Sequence, residues 1–127
     1  MILDGYMKGI NKMYFKMNNH DWEIVEESRQ VVKEKYEDAM NEKTIEVFGL
    51  TNFCEQKIYI NKDMNKDLKE HTLMHELLHC YIAEYCSIEQ NDYNEEVMCD
   101  ICANSHNIIH KIVEDYKLKN SKFKEIK

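Results

Sequence analysis

The chain has 127 residues, 43% hydrophobic and 32% charged, which is enough apolar material for one core without cross-links. Its formal net charge of −7 argues against a broad phosphate-binding face, so nucleic acid is not an expected partner. No stretch approaches the roughly 18 apolar residues of a membrane span, so no membrane partner is expected either.

The opening MILDGYMKGINKMYF lacks the long apolar core of an export signal, and the five cysteines, Cys54, Cys80, Cys86, Cys99 and Cys102, are odd in number. Together these predict a cytoplasmic protein with reduced thiols. Proline is absent and glycine occurs three times, so turns fall to Asn, Asp and Lys. With no repeat and no linker composition, residues 1–127 read as a single domain.

In chain order, Ile10 to Asn18 mixes aromatic and polar residues in the manner of a strand. Asp21 then stands where a helix N-cap would. After it, Val25, Ser28, Val32, Tyr36 and Met40 recur at three- and four-residue steps, predicting an amphipathic helix from Trp22 to Met40. KTIEVFGL and EQKIYIN, joined by TNFC, predict two short strands paired as a hairpin or as antiparallel neighbours. From Asn65 the pattern returns to helix through Cys86. A polar break, SIEQNDYN, leads into a last helix striped by Val97, Ile101, Ile108, Ile112 and Tyr116. The basic tail Lys117 to Lys127 reads as a solvated terminus. The expected class is α+β: a small antiparallel or mixed sheet covered by helices.

Within the fourth of these segments lies TLMHELLHCY, Thr72 to Tyr81. On a helix, residues four apart share a face at about 5–6 Å, so His75 and His79 can both reach one zinc ion at about 2.0–2.1 Å. Glu76 flanks that face without being a ligand. Zinc lowers the pKa of a bound water towards about 7, and a neighbouring carboxylate can then take its proton as a carbonyl is attacked. The alternative is a pair of surface histidines. Against it, Leu73, Met74, Leu77, Leu78, Cys80 and Tyr81 make the surroundings apolar, where imidazoles need partners.

TLMHELLHCY resembles the extended zincin signature, which implies His75 and His79 as ligands of Zn²⁺ and Glu76 as general base. The metzincin continuation is missing, because Cys80 to Glu89 holds neither its glycine nor its third histidine. The next acidic cluster, NEEVMCD, is similar to the gluzincin arrangement, in which a Glu-x-x-x-Asp pair on the following helix binds the ion and orients a ligand histidine. By that resemblance Glu96 is the third ligand and Asp100 the orienting carboxylate, with Glu95 as the competing ligand and Cys99 then in the place of Asp100. An acidic first turn that complements the helix dipole is the plain alternative for both glutamates. Positions 80 to 95 have to close one helix and open another, which predicts an antiparallel-like pair of helices around the metal.

His106 and His110 repeat the four-residue spacing, but His106 lies about 15 Å along its helix from Glu96, so the two cannot share an ion; both read as surface residues. Cys99 and Cys102 form C-x-x-C. They and the other helical thiols read as small buried hydrophobes.

FGLTNFCEQKIYINKDMNKDLKEHTLMHELLHCYIAEYC also resembles the small phage- and mobile-element-associated metallopeptidases near the ImmA/IrrE group. In that group a Gly-Leu-Thr turn and an Ile-x-Ile edge strand precede the HExxH helix. The resemblance implies a gluzincin-like zinc metallopeptidase with a protein or peptide substrate, held beside the ion by an edge strand at Ile58 to Asn61. A plain core strand is the other reading of Ile58 to Asn61. Members of that group act on repressors of mobile elements, but no helix-turn-helix or partner segment is visible here. A non-catalytic, zinc-stabilised regulator that binds a protein is the alternative function. Tyr85 and Tyr93 lie near the motif, and neither is assigned to the oxyanion; the oligomeric state is not legible.

Overall fold

In the computed structural model, residues 12–88 and 92–126 are described, with side chains up to residue 119. Strands β1 (Lys12–Met17) and β2 (His20–Glu27) precede helix α1 (Arg29–Met40). Strands β3 (Gly49–Asn52) and β4 (Lys57–Asn61) follow, then helices α2 (Lys66–Tyr85) and α3 (Glu95–Ile126). The sheet is mixed, in the order β1-β2-β4-β3; β2 and β4 are parallel and the outer pairings antiparallel. The class is α+β, as expected. Ile10 and Asn11 of the expected first strand, and residues 89–91 of the polar break, lie outside the described residues.

The helix expected from Trp22 is instead strand β2 as far as Glu27, and α1 begins only at Arg29. Two features explain the difference. Asn18 and Asn19 both have positive φ, 51° and 67°, which is the backbone of a two-residue type I′ hairpin turn and sends the chain straight back along β1. Glu23 and Glu26 of β2, which look like the polar face of a helix, have partners on other elements. Glu23 stands opposite Tyr14 of β1 and Lys57 of β4, with Lys57 Nζ 3.6 Å from its carboxylate. Glu26 meets Lys69 Nζ at 3.4 Å and accepts the Tyr116 hydroxyl. Ser28 is the true N-cap: its hydroxyl accepts the Val31 amide at 3.3 Å.

Alternation along β2 and β4 feeds two cores. Trp22, Ile24, Ile58 and Ile60 pack under α2 and α3 with Leu73, Leu77, Cys80, Ile109, Ile112, Val113 and Tyr116. Val25 and Tyr59, with Val32, Val47 and Leu50, form the smaller core under α1. The sheet is therefore covered on both faces. On α3 the buried stripe runs Ile101, Ser105, Ile109, Ile112, Val113, Tyr116. Ile108 is exposed, and the four-residue steps put Ile109 in the inward place expected of it. Among the described residues, no helix is long and apolar enough to cross a membrane.

Of the two readings of Ile58 to Asn61, the structure shows the core strand: β4 is interior, and Ile58 and Ile60 have no exposure. The edge beside it is β3, which starts only at Gly49 and runs on through Thr51 and Asn52. The strand expected over KTIEVFGL is therefore shifted, and the Gly-Leu-Thr turn implied by the resemblance is strand. The turn follows at 53–56, where Gln56 has a φ of 56°.

Glu84 ties the β1–β2 hairpin to the end of α2. Its carboxylate lies 2.6 Å from His20 Nδ1 and accepts the Trp22 indole N–H at 2.8 Å, while Asn18 Nδ2 donates to its carbonyl at 2.8 Å. The Asn18 amide donates to the Tyr85 hydroxyl at 2.7 Å.

All five cysteines are free thiols, but only Cys80 is a buried hydrophobe. Cys99 and Cys102 are exposed because they flank the buried stripe of α3, so their expected burial is not found. A thiol reagent should modify Cys54, Cys99 and Cys102 rapidly in the folded protein and Cys80 only at the rate of unfolding; rapid native modification of Cys80 would contradict this packing.

At Gly49, β3 passes close to α2. A Cβ there would lie 2.7 Å from Thr72 Cγ2, 3.1 Å from the Tyr59 carbonyl and 3.3 Å from Glu76 Cγ. Thr72 is buried and β-branched, with little freedom to turn away. Gly49→Ala should therefore destabilise the fold by about 1–3 kcal/mol, read as a lower urea midpoint at unchanged slope; an unchanged midpoint would show that this approach is looser than it looks.

Candidate metal centre

Helix α2 starts at Asn65, whose side chain accepts the Leu68 amide at 2.9 Å. Its buried residues are Thr72, Leu73, Glu76, Leu77 and Cys80, the stripe that faces the sheet. That rotation carries His75 and His79 just beyond the buried stripe, where both are exposed. Their Nε2 atoms converge to 3.3 Å, with ring centroids 4.9 Å apart and planes at 73°.

This separation has two physical readings. An imidazole–imidazole hydrogen bond is one, although 3.3 Å is long against the mode of about 2.9–3.0 Å for N–H···O bonds. The other is a pair of ligands. Two nitrogens at about 2.0–2.1 Å from one tetrahedral ion stand about 3.3 Å apart. The residues present thus fit half of a zinc coordination sphere.

Glu76 points the other way, into the fold, with 7% exposure. Thr51 of β3, 6% exposed, donates from Oγ1 to Glu76 Oε1 at 2.7 Å and lies 3.1 Å from the Glu76 carbonyl. The base expected from the motif is therefore held between helix and edge strand. Sequence reasoning missed Thr51 and Gly49. Their only signal was the Gly-Leu-Thr string, and its meaning depends on the sheet order.

Among the described residues, no strand pairs with the outer side of β3. Phe48 O accepts the Asn61 amide at 2.9 Å, which fixes the phase of the β3–β4 ladder. By alternation, Leu50 and Asn52 bond to β4, whereas the N–H and C=O groups of Gly49 and Thr51 point to the outer edge.

The acidic residues expected to complete the site lie at the start of α3. Asn94 Oδ1 accepts the Val97 amide at 2.9 Å and caps the helix, and Glu95, Glu96 and Asp100 are exposed along its first turns. α2 and α3 pack directly on each other. Among the described residues, no third His, Cys, Asp or Glu joins His75 and His79 in a group able to hold an ion. The structure brings together the two histidines and turns the neighbouring Glu76 into the fold; among the described residues it does not group Glu96 or Asp100 with the histidines.

Other donors fit less well. His106 and His110 stack at 5.7 Å with planes 14° apart, both exposed, as surface residues would be. The Cys80 thiol is pushed up above its ordinary range by burial and then by the Glu76 and Glu84 charges, and its side chain is packed in the core. The Tyr85 hydroxyl is engaged by Asn18. A surface hollow of about 410 Å³ beside Glu37 and Lys43 lies at the far end of α1, on the opposite face of the sheet. There the Thr44 amide at 3.0 Å holds the Glu37 carboxyl below its ordinary range, a local capping contact.

Compared with family models, with curated proteins and with solved structures, the chain gives no match, so the reading of this centre rests on its own geometry.

Proposed function

We propose that this chain is a zinc-dependent peptidase with a zincin-like, gluzincin-type site. The observation that carries the reading is the 3.3 Å approach of the two Nε2 atoms on a helix whose next inward residue is a buried carboxylate. His75 and His79 hold the ion. Glu96 is proposed as the third ligand and Asp100 as the carboxylate that orients a ligand imidazole. The Glu96 side chain is exposed, and Glu95 is its competitor.

A zinc ion, when bound, would supply an acidified water and polarise a peptide carbonyl. Glu76 would be the base for the attacking water and would return the same proton to the leaving amine, so that the carboxylate ends as it began. The outward N–H and C=O groups of Gly49 and Thr51 would pair with an extended substrate, which makes β3 the substrate strand in place of β4.

A zinc-stabilised regulator without catalysis is the rival reading. It is favoured by the exposed Phe48 and Phe53, which flank the open edge as a protein-binding surface would.

Zinc-loaded protein should cleave members of a mixed quenched-fluorescent peptide library. Glu76→Gln should keep its zinc and its melting temperature while losing at least about a hundredfold in rate. Equal cleavage by that variant, or none by the loaded wild type, would defeat the peptidase reading and leave the regulator. Separately, Asp100→Asn should weaken zinc binding about 10–100-fold and Glu96→Gln by more, read by competition with a chelating dye; a larger loss in Glu95→Gln would move the third ligand to Glu95.

A further inference from the structure

The geometry points to Thr51 as more than a packing residue: we propose that it is a positioning residue for the Glu76 carboxylate. The inference rests on the peptidase reading. Glu76 has three rotatable side-chain bonds, and one strand lies against both its stem and its head. Its Cγ lies 3.3 Å from the Cβ position that Gly49 leaves empty, and its Oε1 accepts from Thr51 Oγ1 at 2.7 Å. The missing side chain at Gly49 lets the stem close on the strand, and the Thr51 hydroxyl fixes the head. With Oε1 engaged, Oε2 is the oxygen that takes and returns the proton.

Thr51 occupies a second relevant place. Its backbone N–H and C=O face the outer edge while its side chain faces α2. A peptide paired along β3 would therefore be held by the same residue that holds the base. Substrate register and base orientation become one geometric setting, so that a carbonyl laid against Thr51 meets a carboxylate already aimed. Orientation of this kind is worth a large factor, since misplacement of a reacting group by about 1 Å can cost on the order of a hundredfold in rate.

The test compares three variants on the library peptide that the wild type cleaves best. Thr51→Val removes the hydroxyl at nearly constant volume and should lower kcat by about ten- to a hundredfold, with KM and zinc content unchanged. Thr51→Ser keeps the hydroxyl and should restore kcat to near the wild-type value. If the valine variant does not fold, Thr51→Ala replaces it with the same expectation. Wild-type kcat in Thr51→Val or Thr51→Ala would overturn the proposal, as would a loss that serine does not rescue or one that follows zinc content. If the wild type itself cleaves nothing, the peptidase reading fails first and this role falls with it.

Discussion

Leu73, Leu77 and Cys80 have no exposure, and their spacing allows α2 to dock on the sheet in one rotation only. That rotation decides what the rest of the molecule can do. It turns Glu76 into the boundary with β3 and leaves His75 and His79 together on the outer flank. Burial of Leu73 and Leu77, each worth about 1.5–3 kcal/mol, favours this rotation, and the hydrogen bond from Thr51 offsets part of the cost of placing a carboxylate beside them. The apolar stripe thus sets the geometry of the polar residues, and the candidate chemistry depends on the core.

The second constraint is the approach of β3. An ionised carboxylate taken out of water needs donors or a cation, and Thr51 provides a short hydrogen bond from an edge strand that Gly49 brings close. Tethers elsewhere keep the layers from sliding. Glu84 fastens the β1–β2 hairpin to the end of α2, and the Tyr116 hydroxyl fastens α3 to Glu26 on β2. Together they hold the sheet, the motif helix and the last helix in one arrangement.

Much of this was legible where the signal is local. The HExxH helix and its start at Asn65 could be read from periodicity, as could the pairing of β3 with β4. β2 was not legible. Its glutamates imitate a helical polar face, and their partners Lys57, Lys69 and Tyr116 lie far along the chain. Asn18-Asn19 was the overlooked turn, since two asparagines at positive φ can do what Asn-Gly more often does. The edge strand was misplaced because a run such as Lys57–Asn61 says nothing about which neighbours flank it. Thr51 escaped for a related reason: a threonine 25 residues before a glutamate in sequence carries no sign of their contact.

The proposed function requires His75 and His79 to be ligands of one ion rather than partners in a hydrogen bond. Anomalous diffraction at the zinc edge, from crystals grown with one equivalent of zinc, tests this most directly. The expected result is a single peak about 2.0–2.1 Å from both Nε2 atoms, with a first-turn carboxylate of α3 as the third protein ligand. A peak elsewhere, or none while the two imidazoles stay 3.3 Å apart, would contradict it.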